Sequence, residues 1–107
     1  MDAHKEYTKA VKQLKSHLEK KRSLDEFAQT DEYWAIRDYL NLHELMGVGI
    51  NQEVFDDHVC YDFWSGELER AWKDTSELIK YIQGLPEWKN SYVELAAVHE
   101  RWAAKRK

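Results

Sequence analysis

Four groups of residues in this chain have side chains of the types that do chemistry. The run His43-Glu44-Leu45-Met46-Gly47 opens like the helical zinc-protease motif, in which a second histidine one turn later completes the ligand pair and the glutamate acts as base. Position 47 is glycine, so two imidazoles cannot face one ion from this helical turn. Arg37, Asn41 and Glu44 are spaced four and three residues apart, which on a helix makes one polar stripe. Arginine could anchor an anion there, the amide orient it and the carboxylate take a proton. The simpler reading, and the one we favour, is a half-buried structural network in which the three satisfy one another.

The third group is Asp56, Asp57, His58 and Asp62. These are ligand types for a divalent ion, but neighbours in sequence point to different sides of a helix and do not converge. The fourth is Cys60 and His99. Acidic and aromatic neighbours raise a thiol pKa, so Cys60 is expected to be buried and inert. His99 lies in a stripe with Leu95 and Trp102, where a hydrogen-bonded core histidine is the ordinary outcome. No glutamate has a histidine three residues later, which excludes the di-iron bundle pattern. Gly47-Val48-Gly49 follows a helical pattern where a dinucleotide fingerprint would follow a strand. The chain therefore reads as a non-enzyme, with no catalytic residue, metal or cofactor expected.

The elements that must position these groups are helical. The chain has 107 residues, one domain's worth, with 43% apolar and 13% aromatic residues, enough for one core. Four Gly and one Pro are few, no alternating strand pattern or repeat is present, and the composition favours helix. An all-α single-domain bundle of about four to six helices is expected. Residues 1–22 form a basic amphipathic N-terminal helix and 23–107 the helical bundle domain, in one compact unit. In the first helix Tyr7, Val11, Leu14 and Leu18 recur at spacings of four, three and four. This narrow apolar seam could pack on the domain or pair with a second copy.

Ser23 with Glu26 has the capping-box spacing, and Thr30 or Asp31 starts the next long helix, about 31–46. Tyr33, Ile36, Tyr39, Leu40 and Met46 make one broad apolar face of it, and Trp34 and Leu45 a second. A helix apolar nearly all round is expected at the centre of the bundle. Gly47 and Gly49 are expected to end it and Asn51 to cap a new start. Ser65-Gly66 suggests a break in the following helix, Gly84 terminates the next one, and Pro86 suits the first turn of the last. There Trp88, Tyr92, Leu95, His99 and Trp102 share one face.

Charge is unevenly distributed. Residues 1–22 hold seven Lys/Arg against three Asp/Glu, residues 23–69 one against twelve, and residues 70–107 eight against five. The middle segment is thus at −11 within a chain of net charge −4. Such a segment repels a phosphate backbone and attracts a basic protein surface. The plainest account of the pattern is that basic terminal helices offset a solvated acidic middle.

The run LDEFAQTDEYWAIRDYLNLHELMGVGINQEVFDD resembles a bacterial family of small helical proteins classed as a domain of unknown function. The resemblance rests on Leu40, Asn41 and Glu44, the Gly47-x-Gly49-Ile50 turn, the spacing of Phe63, Trp64 and Trp72, and the ending YVELAAVHERW. It implies a helical fold and brings no activity. Members of this kind often carry a membrane helix ahead of the domain, where this chain has a basic amphipathic helix. Gln83 and Gly84 stand where the family pattern implies basic residues.

Three functions remain as expectations. The foremost is a non-enzymatic protein-binding module, of the kind a phage or mobile element encodes as an accessory or inhibitor. Its acidic surface, Glu53, Asp56, Asp57, Asp62 and Glu67, would engage a basic, nucleic-acid-binding partner protein. The alternatives are a small-molecule or catalytic site at Arg37, Asn41 and Glu44, and a homo-oligomeric scaffold, a homodimer, through Tyr7, Val11, Leu14 and Leu18. Direct nucleic-acid or membrane binding is not expected. With one cysteine and no apolar N-terminal stretch, a cytoplasmic location is expected.

Overall fold

A computed structural model of the chain describes residues 3–105. It is all-α: five helices and one 3-10 turn, with no strand among the described residues. The helices are α1 (Ala3–Glu19), α2 (Leu24–Phe27), α3 (Asp31–Asn51), α4 (Asp57–Gln83) and α5 (Val93–Lys105), and the 3-10 turn is Pro86–Trp88. The chain divides into two compact units, Met1–Asn41 and Leu42–Lys107. The boundary falls inside α3, so the division expected after residue 22 lies within the first unit.

The first unit packs α1 and α2 with the N-terminal half of α3. The seam of α1 is used there: Tyr7, Val11 and Leu14 are buried, Leu18 is half-buried, and the Tyr7 ring stacks on Tyr39 at 3.9 Å. Of the two uses expected for the seam, the structure shows the packing one: Tyr7, Val11 and Leu14 fill this unit's interior. Phe27 sits under the chain reversal, edge-on to Tyr33 and tilted against His17. Ser23 caps α2 through the Asp25 N–H at 3.0 Å. The reciprocal half of the expected box is absent, since Glu26 pairs with Arg22 at 2.9 Å. Thr30 Oγ1 accepts from the Tyr33 N–H and starts α3.

Helix ends depart most from expectation. Neither Gly47 nor Gly49 terminates α3, which runs on to Asn51, and no glycine has positive φ. The chain instead leaves α1 through Lys21 (φ 55°) and α3 through Glu53 (φ 61°). Around Glu53 the Val54 N–H bonds the Gly49 carbonyl at 2.8 Å and the Glu53 N–H bonds the Ile50 carbonyl at 3.1 Å. Around Lys21 the Arg22 N–H reaches the His17 carbonyl and the Lys21 N–H the Leu18 carbonyl. Both are Schellman closures with a charged residue at the left-handed position that glycine normally holds.

The glycines of α3 are packing residues. A Cβ at Gly47 would lie 3.2 Å from the Glu94 carbonyl carbon and the Leu95 nitrogen, which are backbone and cannot swing away. One at Gly49 would run into the ring of Phe55. Ser65-Gly66 does not break α4, a single helix of 27 residues capped by the Asp56 side chain on the Val59 N–H at 2.9 Å. Its buried stripe is Cys60, Trp64, Leu68, Ala71, Thr75, Leu78, Ile79 and Ile82. Gly84 does cap the end of α4. Pro86 opens the 3-10 turn, α5 begins only at Val93, and Trp88 is exposed instead of lining its inner face.

The second apolar face expected on α3 is also open, with Trp34 55% and Leu45 67% exposed. One face of α3 is buried, through Tyr33, Ile36, Tyr39, Leu40, His43 and Ile50. The helix is not enclosed on all sides.

Candidate functional site

The richest polar geometry lies in the second unit, where α5 is fixed to the end of α3 and the start of α4. Glu44 reaches the N-terminus of α5: its Oε1 accepts from the Leu95 N–H at 2.7 Å and its Oε2 from the Glu94 N–H at 3.3 Å. The first N–H groups of a helix have no intrahelical partner, and a carboxylate there also meets the positive end of the helix dipole. Glu44 is thus a cap for α5 supplied from fifty residues upstream.

One turn later Gly47 lets the α5 backbone approach, and one further turn on Asn51 donates from Nδ2 to the Glu94 carbonyl and to Glu94 Oε2, both at 3.2 Å. The Asn51 Oδ1 accepts from Arg101 Nη1 at 3.2 Å. Arg101 then makes a two-pronged pair with Asp57, Nε and Nη2 lying 3.0 and 2.8 Å from Oδ2. Asp57 Oδ1 accepts from Trp102 Nε1 at 2.7 Å. Glu44, Gly47 and Asn51, spaced three and four apart on α3, therefore form one clamp, with Asp57 on α4 as its far end.

Partial burial pushes the Asp57 carboxyl up, but the hydrogen bonds from Trp102 and Arg101 and the charges of Arg101 and Lys105 outweigh it. The net position is below the ordinary carboxylate range. His43 lies beneath the clamp, 5% exposed and stacked on Trp64 at 5.0 Å. Burial lowers its pKa, and the charge of Glu67 opposes the shift. It is a neutral core ring at pH 7. Burial, with the charges of Asp56 and Asp57, pushes the Cys60 thiol up, the reverse of what a nucleophile needs. His99 stacks on Trp72 at 4.6 Å and its Nε2 lies 3.1 Å from Glu69 Oε2, a half-buried, hydrogen-bonded histidine.

The stripe of Arg37, Asn41 and Glu44 is on α3 as expected, but its end members have different attachments. Arg37 is buried in the first unit, where Nη1 donates to the Tyr33 hydroxyl at 3.1 Å and the guanidinium lies over the Tyr33 and Trp34 rings. Asn41 is exposed. Glu44 accepts from the α5 backbone through both oxygens. Sequence reasoning placed Glu44 in a structural role but missed its partner. It also missed Asn51, Arg101 and Trp102 as members of the clamp.

The five carboxylates expected on a partner-binding surface separate in the same way. Glu53, Asp56 and Asp62 are exposed. Asp57 is half-buried in the clamp, and Glu67 is half-buried beside His43. Asp56 also caps α4, and Asp62 meets His58 at 3.6 Å on the surface. Among the described residues no group of His, Cys, Asp and Glu is arranged to hold a metal. A recess of about 470 Å³ opens between Ile50, Glu53, Phe55, Asp56 and Arg101. On the α3–α4 turn and the first turns of α4, Val54, Phe55, Val59 and Phe63 are exposed, at 73, 45, 55 and 66%.

Among the described residues these features define an all-α helical domain in which an extended polar cluster ties α5 to α3 and α4, and in which an exposed surface is acidic and apolar together. Residues 1–102 match the family described as a domain of unknown function, DUF4760, and the chain belongs to that family. No curated protein and no solved structure matches it. None of the described helices is long and apolar enough to cross a membrane.

Proposed function

We propose that the chain is a non-enzymatic protein-binding module whose acidic surface at the α3–α4 turn engages a basic partner protein. The supporting observation is the coincidence of exposed carboxylates, Glu53, Asp56 and Asp62, with exposed Val54, Phe55, Val59 and Phe63 on one turn and the helix that follows it. Charged rims around apolar centres are the ordinary anatomy of protein interfaces, and like-signed charge on the rim selects the partner and speeds its approach. Between Arg37 and Arg70 there is no lysine or arginine, and the cation lining the recess, Arg101, is paired with Asp57, so the exposed carboxylates of the turn are the charges left to meet a partner. A nucleic-acid-binding protein has the complementary charge. An accessory or inhibitor of such machinery, of phage or mobile-element type, is the role this surface suits.

The test is affinity capture by the whole chain beside a variant in which Glu53→Gln, Asp56→Asn and Asp62→Asn are combined, with folding checked by circular dichroism. Capture of a basic protein that is lost in the variant and weakened by salt supports the reading. Equal capture by both proteins rejects it.

A further inference from the structure

Gly66 is the one glycine of this chain's α-helices that the fold does not use. It lies in the interior of α4, where glycine is destabilising relative to alanine. Gly47 is backed by the α5 backbone and Gly49 by the Phe55 ring. At Gly66 an added Cβ would meet only the Arg70 Nη1 atom, at 3.8 Å, an ordinary contact with a flexible side chain. The position continues an exposed stripe: Val59, Phe63 and Gly66 follow one another at spacings of four and three, on the side of α4 turned from Cys60, Trp64 and Leu68. A bare patch beside two large exposed apolar side chains is a notch with a wall, the shape that lets a second helix come close.

Resting on the binding role above, we propose that this stripe is the docking groove for a cationic amphipathic helix of the partner protein. The apolar face of that helix seats on Val59, Phe63 and Gly66, and its lysines and arginines lie over Glu53, Asp56 and Asp62. The charges near the stripe identify this occupant. Asp56 caps the start of α4 and Asp62 directly precedes Phe63, Glu53 lies on the turn before the helix, His58 pairs with Asp62, and Arg70 stands at the far end.

An anionic membrane surface or a nucleic-acid backbone would be repelled by those carboxylates. An extended strand needs an unpaired sheet edge, and the described residues contain no strand. A second copy of this chain does have a cationic amphipathic helix in α1, but its apolar seam, Tyr7, Val11 and Leu14, is already buried.

The proposal is tested by fluorescence anisotropy with two labelled synthetic peptides of about 18 residues, five helical turns, made of leucine and lysine. One has leucines at helical spacing and the other is its scrambled isomer of equal charge. Measurements use the full chain and the variants Gly66→Leu, Gly66→Ala and Phe63→Ser. The amphipathic peptide is expected to bind about tenfold or more tightly than the scrambled one. Gly66→Leu and Phe63→Ser should each remove most of that preference, and Gly66→Ala part of it. Both Gly66 variants should melt at or above the parent's temperature, which separates lost docking from lost folding. Equal binding of the two peptides, unaffected by these variants, overturns helix docking and leaves the acidic-surface reading standing. Binding of neither peptide overturns both.

Discussion

Asp57 and Asp62 are five residues apart on the same helix, yet they face different tasks. Asp57 is turned inward to Arg101 and Trp102, and its carboxylate is hydrogen-bonded at 2.7–3.0 Å on both oxygens. Asp62 stands outside, 63% exposed, with only a 3.6 Å approach to His58. The inner side of the α3–α4 turn, where Glu44, Asn51 and Asp57 meet α5, has its polar groups matched one to one. The outer side, with Glu53 and Asp62 among Val54, Phe55, Val59 and Phe63, has carboxylates and apolar groups standing in water, beside an exposed Asp56 that uses one oxygen to cap α4. Matched polar groups hold a fold together, whereas unmatched surface is where binding energy is still to be gained.

Several substitutions would break or sharpen this contrast. The largest effect is expected at Gly47→Leu, which forces a side chain against the Glu94–Leu95 backbone. It should cost about 1–3 kcal/mol in denaturant unfolding, as overpacked sites do. Asp57→Ala should follow, since it strands the Trp102 indole N–H and Arg101. Loss of an acceptor from a buried donor costs about 1–3 kcal/mol, and partial exposure puts this case toward the lower end. Glu53→Gly should instead stabilise the fold, by about 1 kcal/mol, because glycine holds the left-handed position without strain.

A pH effect distinguishes the two sides as well. Burial lowers the pKa of His43 in the folded state, so the unfolded chain binds its proton more readily. The contribution of the neutral ring is complete above the unfolded value of about 6.5 and is lost as pH falls through the folded value. Melting temperature should therefore decline below that pH, and His43→Phe should flatten the decline. The carboxylate of Asp57, held below its ordinary range, adds a second loss at lower pH that Asp57→Ala removes. On the outer side, Phe63→Ser should move stability by no more than about 0.5 kcal/mol.

How much of this was legible in the sequence follows from where each determinant lies. The all-α class was readable because α1 and α4 repeat apolar residues at helical spacing, and Ser23, Thr30 and Gly84 mark ends by local chemistry. The end of α3 was not. Gly47 and Gly49 have the composition of a stop signal, but their reason is the approach of Glu94 and Phe55, and the actual left-handed residue is a glutamate. Ser65-Gly66 was misread in the same way, since a single glycine does not interrupt a helix whose neighbours on both sides are buried, as Trp64 and Leu68 are. The stripe containing Glu44 could be drawn on a helical wheel, whereas its partners, the Glu94 and Leu95 N–H groups, are set by a chain reversal that no local pattern encodes. The acidic middle segment was visible as a sum. Only the fold divides it into Asp57 and Glu67, half-buried, and Glu53, Asp56 and Asp62, exposed.

The most direct measurement is the melting temperature of Asp57→Ala beside that of Asp62→Ala, at neutral pH and in one buffer. A clear fall for Asp57→Ala with Asp62→Ala unchanged from the parent is the result the two-sided turn predicts. Equal melting temperatures for the two variants, or a larger loss at Asp62, would contradict it.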